Sequence, residues 1–258
     1  LGAKLVHIST CYVAGKKNGH IPEDVPIDGY FPRRSENTGE YFSVAKEVKW
    51  LEQFIEETRA SRATSPRPVR ERLRDGGMER ADHWGWTNIY TYTKSMGEQV
   101  IAQTPGLTYA IVRPAIVESS MEFPFPGWNE GLTTSAPLVL MGGEGVKGWP
   151  VRKDGPLEII PVDLVAAGIL IVTAAVLCGK HKPVYHLASA DQNPIMLPRL
   201  VAFLGMNSRY RHKHKKSGSW ILNKWKAYNE TQVITVESLK SRRTAFHRGL
   251  DVIHAALT

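Results

Sequence analysis

Apolar positions along this chain fall into short β-branched runs, separated by stretches in which they recur every three or four residues. Ala3 to Val13, AKLVHISTCYV, is an apolar run ending near Gly15 and predicts a buried strand, with His7 near its end. The stretch that follows, KKNGHIPEDVPIDGYFPRR, is crowded with Gly, Pro and Asp and predicts a loop. From Asn37 to Arg59, Val44, Val48, Leu51 and Ile55 share one side of a helix, with Lys and Glu on the other. Residues 61–82 are polar and charged and read as a connector or a short exposed helix. A second helical pattern runs from Asn88 to about Gln103 and is closed by Pro105-Gly106. Leu107 to Val117, LTYAIVRPAIV, predicts another buried strand, stopped by Pro114. A long aromatic loop, SSMEFPFPGWNEGLTTSAP, and short extended pieces lead to an apolar helix at Leu164 to Cys178. Pro183 to Ser189 predicts a third strand, and from Asp191 onward the pattern is helical. Strands alternating with helices predict an α/β fold with a parallel sheet covered on both faces.

Composition narrows the class. The 258 residues are 42% apolar and 22% charged, which suits one large domain or a domain with an appendage. The expected division is a catalytic region over residues 1–205 and a basic, helical tail over 206–258. Cys11 and Cys178 stand apart and form no C-x-x-C pair, so no metal site or disulfide framework is expected and a reducing, cytoplasmic compartment fits. The chain opens at Leu1 without a basic n-region or signal-like run, and is expected to be a piece of a longer protein. The apolar part of 164–178 is shorter than the about 20 residues a membrane span needs, and reads as a core helix. The net charge of +8 concentrates in RYRHKHKK, Arg209 to Lys216. That run reads first as a solvated face or loop; an anionic ligand or peripheral membrane contact is the sharper reading. No nucleic-acid partner is expected, because no aromatic-interleaved RNA motif or zinc-finger spacing accompanies it.

GEGVKG, Gly143 to Gly148, has the G-x-G-x-x-G spacing of a dinucleotide fingerprint. A working fingerprint opens a helix whose free N–H groups hold the pyrophosphate. Here two prolines and a glycine follow within eight residues, from Trp149 to Pro156, and forbid such a helix. The expected reading is a loop.

The stronger chemical signal is NIYTYTKSMGEQVI. Tyr90 and Lys94 are four apart on a predicted helix and face the same way. A phenol ordinarily titrates near ~10, and a neighbouring ammonium favours its ionised form. Such a pair, with a hydroxyl from a nearby strand, can protonate a carbonyl oxygen as hydride reaches the carbon. Ser9 and Thr10, at the end of the first run, supply such hydroxyls. Tyr41 and Lys46 are five apart and point to different sides.

Three stretches, HISTCYVAG, GWTNIYTYTKSMGEQ and VRPAIVESSMEFPFPGW, stand in this order, followed by IIPVDLVA and VYHLASADQNPI. Together they resemble the extended short-chain dehydrogenase/reductases, and more narrowly the alcohol-forming fatty acyl-CoA reductases of the male-sterility type NAD-binding family. The resemblance covers about residues 1–200. It implies a Rossmann-type fold, with this chain as its C-terminal part. It implies NADPH as cofactor, a long-chain acyl-CoA as substrate, and reduction through an aldehyde to a fatty alcohol. Tyr90 matches the proton donor, and Lys94 the residue that holds the nicotinamide ribose. Thr10, with Ser9 as substitute, matches the hydroxyl on the substrate carbonyl, and the backbone of Pro114, Ala115, Ile116 and Val117 would line the nicotinamide. Phe123, Phe125 and Trp128 either wall an acyl channel or pack their own loop. The family's W-P-N-T-Y is W-T-N-I-Y here, and its N-terminal G-x-x-G-x-x-G loop has no counterpart, so the fragment alone is expected to bind NADPH poorly. Another extended short-chain reductase or epimerase, or a non-catalytic truncated fragment, remains an alternative reading.

Overall fold

The computed structural model describes residues 2–17, 19–34, 40–61, 66–130, 148–150, 155–214, 219–228, 232–235, 237–239 and 241. In chain order the elements are β1 (Lys4–Ile8), a 3₁₀ helix (Cys11–Ala14), α1 (Val44–Ala60), α2 (Pro66–Trp84), α3 (Ile89–Ala102), β2 (Thr108–Pro114), β3 (Ile116–Glu118), β4 (Gly148–Pro150), β5 (Pro156–Leu157), β6 (Ile159–Pro161), α4 (Val162–Leu177), β7 (Val184–Leu187), β8 (Ile195–Met196), α5 (Leu197–His214), α6 (Trp220–Tyr228) and β9 (Gln232–Ile234). They form two compact units, one of Leu1–Ala115 with Val162–Ala188, the other of Ile116–Pro161 with Ser189–Thr258.

The first unit is built on a parallel sheet in the order β1-β2-β7, with Ile8 opposite Val112 and Arg113 opposite His186. Side chains alternate along a strand, so β2 serves two faces. Ala110 and Val112 pack on Val172 and Val176 of α4, with Val6, Tyr185 and Leu187 around them. A Cβ at Gly168 would lie 2.7 Å from Leu187 Cδ1, so α4 rides close to this face. Arg113 points the other way and meets Glu98 of α3. The sheet is therefore covered on both sides, as parallel sheets require.

α1, α2 and α3 enclose a second apolar cluster, with Phe31, Phe42, Val44, Ala81, Trp86, Tyr92 and Met96 buried at its centre. One charge sits beside it. Glu47 of α1 is buried and accepts hydrogen bonds from both Arg80 Nε and Nη2, from Trp84 Nε1 at 3.1 Å and from the Tyr92 hydroxyl at 2.6 Å. Burial, and then the Glu47 carboxylate, push the Tyr92 phenol well above its ordinary range, so it stays a donor. The three helices are thus joined through one carboxylate.

In the second unit β3 pairs with β6 and β4 with β9, both parallel, and β5 pairs with β8 antiparallel. α5 and α6 pack against each other.

Several elements differ from their expected form. The first strand stops at Ile8, and Cys11–Ala14 coils into a 3₁₀ helix. The run 107–117 is two strands in two sheets, divided at Ala115. Most of 61–82, read as a connector or a short exposed helix, is the long helix α2. Its Gly76 and Gly77 are not a turn: Cβ atoms there would lie 2.2 Å from Phe54 Cζ and 2.9 Å from Ile89 Cδ1, so the glycines let α2 approach its neighbours. The basic run begins, as expected, in a helix, the last turns of α5, which spans residue 205.

Replacing Glu47 by Ala leaves Arg80, Trp84 and Tyr92 facing an empty site. Urea unfolding should show a loss of about 3–5 kcal/mol, the cost of breaking a buried pair from one side. A loss below about 1 kcal/mol would remove Glu47 from its joining role.

Candidate active site

Parallel strands bring their carboxyl ends together, and ligands of open α/β sheets bind there. β1 and β2 run side by side, and the Ser9 N–H still donates to Val112 O at 2.7 Å just past the end of β1. Thr10 then caps the 3₁₀ helix: its Oγ1 accepts the Tyr12 N–H at 3.3 Å, which leaves the hydroxyl hydrogen to donate. Both residues are buried, and Ser9 Oγ meets no hydrogen-bond partner among the described residues.

α3 lies against this 3₁₀ helix. Asn88 is its N-cap, with Oδ1 accepting the Thr91 N–H at 2.9 Å, and this fixes the first turn. Tyr90 stands in that turn with 56% of its surface exposed. Among the described residues its hydroxyl makes no hydrogen bond. One turn later Lys94 Nζ donates to the carbonyl of Ile8 at 2.8 Å, which holds the ammonium over the end of β1. The structure thus places the Lys94 ammonium on the carbonyl of Ile8, the residue before Ser9 and Thr10 in the chain, and Tyr90 one helical turn from Lys94. At the end of β2, Pro114 belongs to the first unit with Ala115, whose N–H donates to Leu187 O at 2.9 Å. Ile116 and Val117 belong to the second unit, where they pair with Ile159 and Ile160.

Beneath these residues lies a polar layer that the sequence reading passed over. Arg113 donates to Glu98 through Nε at 2.9 Å and Nη2 at 2.6 Å, and its Nη1 is 3.3 Å from His186 Nε2. His7 Nε2 is buried without a partner among the described residues. Burial, and then the Lys94 charge, hold the His7 imidazole below its ordinary pKa. Burial, and then the Arg113 guanidinium, do the same for His186. Two signals were available. Glu98 follows Lys94 by four residues and so shares its helix face, and Arg113 is the one charge inside the run LTYAIVRPAIV.

Of the G-x-G-x-x-G stretch, residues 143–147 lie outside the described residues. Gly148 opens strand β4, where a Cβ would lie 2.7 Å from Ile234 Cδ1. A strand follows the last glycine, not a helix N-terminus. In the aromatic loop Phe123 and Phe125 are exposed, and Ser120 closes the loop by donating Oγ–H to Phe125 O at 2.7 Å and N–H to Trp128 O at 3.0 Å.

The NAD-binding family model described as male sterility protein matches residues 2–169. The chain belongs to the male sterility protein family. Among its relatives, the alcohol-forming fatty acyl-CoA reductase of Simmondsia chinensis is 33% identical over 220 residues, which is 84% of this chain and 42% of that protein. Probable fatty acyl-CoA reductase 5 of Arabidopsis thaliana is 37% identical over 195 residues, 74% of this chain and 38% of that protein. This family member therefore spans about two fifths of the length of those relatives. In fold it is similar to the terminal R domain from the myxalamid PKS-NRPS biosynthetic pathway, at a TM-score of 0.51 and 15% identity, covering 94% of this chain and 42% of that one. The fold is Rossmann-type α/β.

The two half-buried imidazoles set a pH dependence for this family member. Free histidine titrates near 6.5, and both groups titrate lower when folded. As pH falls through that value the unfolded chain takes up protons that the folded chain refuses, so stability is lost. The melting temperature should drop between about pH 7.5 and about pH 5.5, with a shallower slope in His7→Asn/His186→Asn. An unchanged slope in the double variant would assign the dependence elsewhere.

Proposed function

We propose that this chain carries the catalytic residues of an NADPH-dependent reductase that converts a long-chain fatty acyl-CoA to the alcohol through the aldehyde. One observation carries the reading: Lys94 is fixed to the end of β1, beside Ser9 and Thr10, while the Tyr90 hydroxyl one turn away is left without a partner among the described residues. The names of the relatives supply the substrate class. The net charge of +8 suits the phosphates of CoA.

The residues present fit the nicotinamide end of such a cofactor. Thr10, Lys94, Pro114 and Ala115 stand at the carboxyl ends of β1 and β2, and Ser9 Oγ is a buried polar atom with no described protein partner. Lys94 would hold the ribose hydroxyls, with the Pro114 and Ala115 backbone along the ring; Ile116 and Val117 are assigned there by resemblance alone. Bound NADPH supplies the hydride.

Thr10 orients the substrate carbonyl by donating its hydroxyl hydrogen, and Ser9 is the lesser candidate. As the carbonyl carbon becomes tetrahedral, negative charge grows on its oxygen. Thr10 and Tyr90 stabilise that charge, and Tyr90 delivers the proton. Lys94 steadies the charge left on the phenol oxygen. The hemithioacetal so formed releases CoA as its thiol and leaves the aldehyde, and a second hydride and proton give the alcohol.

In the full-length gene product, Tyr90→Phe should lower the rate of acyl-CoA-dependent NADPH oxidation by at least about a hundredfold while cofactor binding is kept. Lys94→Met should weaken both. A Tyr90→Phe enzyme with most of its activity intact would end this assignment.

A further inference from the structure

The first unit holds a cavity of about 260 Å³ that the proposed reaction does not use. The 3₁₀ helix, the loop that follows it and the end of β2 form its walls. None of its lining residues is assigned to the catalytic step or to the nicotinamide. Val13 and Arg113, both buried, make the floor. Ile21, Pro22, Val25 and Pro26 supply apolar wall, and Lys17 and His20 stand exposed at the mouth.

The loop is held in place from three sides. Lys16, at its start, pairs with Asp82 of α2. The His186 N–H donates to Glu23 Oε1 at 2.8 Å, which ties the middle of the loop to β7. At its far end the Gly29 N–H donates to Gln99 Oε1 of α3 at 3.1 Å, and Gln99 Nε2 donates to Tyr30 O at 2.9 Å. The cavity is therefore formed before any ligand arrives, as small-molecule sites usually are.

Hydrogen bonding and charge define the occupant. A guanidinium carries five N–H groups. Those of Arg113 reach two acceptors among the described residues: Nε and Nη2 donate to Glu98, and Nη1 lies 3.3 Å from His186 Nε2. Two N–H groups are left over on a side chain only 8% exposed, where a donor without an acceptor is costly. Among the described residues no Asp or Glu lines the cavity. Burial pushes the Tyr30 phenol up to about 12, so it stays protonated, and it donates to Ala14 O at 2.9 Å. Lys17 Nζ lies 5.1 Å from the Tyr30 ring centre and adds a positive charge to the same cavity. The missing partner is thus an anionic acceptor, and the apolar wall calls for a hydrocarbon body. A carboxylate matches the planar guanidinium fork and brings a single negative charge. Inorganic phosphate would bring more charge and leave the apolar wall wet. On the scale of a 150 Å³ cavity that takes benzene, this one has room for about ten heavy atoms.

We infer that this cavity binds a monocarboxylate with an apolar body of about eight carbons, its carboxylate on the remaining N–H groups of Arg113 and its hydrocarbon against Ile21, Val25 and the two prolines. Such binding does not depend on the proposed reaction: the ligand is a free acid, not a thioester, and every lining residue belongs to the first unit.

Octanoate is the probe. Isothermal titration calorimetry of the full chain should show octanoate binding. 1-Octanol, which lacks the charge, and acetate, which lacks the hydrocarbon, should each bind at least about tenfold more weakly. Val25→Trp, which fills the cavity, should weaken octanoate by at least about tenfold, and Lys17→Ala by about threefold. Isotope-filtered NMR should place the octanoate methylene protons against the methyl groups of Ile21 and Val25. Far-ultraviolet circular dichroism checks that the variants fold; where Val25→Trp does not, Lys17→Ala and the NMR contacts carry the test. No octanoate binding, octanol or inorganic phosphate binding as tightly as octanoate, or NMR contacts to other residues would each overturn the proposal. So would folded variants that bind like the parent.

Discussion

A guanidinium buried on a strand needs a carboxylate within reach, because an unpaired charge out of water costs several kcal/mol. Arg113, near the end of β2, finds Glu98 on α3 through two N–H to oxygen bonds. That fork fixes both the height of α3 along the sheet and its rotation. Tyr90, Lys94 and Glu98 are spaced by four residues, and each step of four overshoots a full turn by about 40°. The consequence is a graded exposure: Glu98 is buried, Lys94 is intermediate and reaches the end of β1, and Tyr90 is open to solvent. One ion pair therefore decides which of three polar side chains stays inside and which is offered to a ligand.

The same face of the sheet shows why the layer beneath Tyr90 and Lys94 is polar. His7, Arg113 and His186 come from three adjacent strands and lie on the side opposite the α4 cluster. Their alternation with Val6, Val112, Tyr185 and Leu187 is the period of two that a pleated strand imposes. Apolar residues cover α4, and polar residues meet α3, whose inner face brings Glu98 and Lys94. Burial, and then the Lys94 and Arg113 charges beside them, keep the His7 and His186 imidazoles neutral to lower pH, so those two charges are not crowded by further cations.

A second carboxylate, Glu47, does for the helical layer what Glu98 does for the sheet. It gathers donors from Arg80, Trp84 and Tyr92, and Arg80 also lies over the Trp50 and Trp84 rings. None of these partners is near Glu47 in the chain, and the tertiary fold alone makes them neighbours. The glycines of α2 follow the same logic. Gly76-Gly77 lies inside α2, where the missing side chains allow a close approach to Phe54 and Ile89 of the neighbouring helices.

By itself the sequence determined the alternation of strand and helix, the helix from about Asn88 to Gln103, the shared helix face of Tyr90 and Lys94, and the rejection of Gly143 to Gly148 as a phosphate loop. These are short-range properties, read from spacing and from proline and glycine. Only the tertiary structure decided that residues 66–84 are one long helix and no connector, that the run 107–117 divides between two sheets, and that Arg113, Glu98, His7 and His186 form one polar layer. The partners there lie far apart along the chain, and no local pattern encodes a pairing that exists only once burial has made water unavailable to the charges.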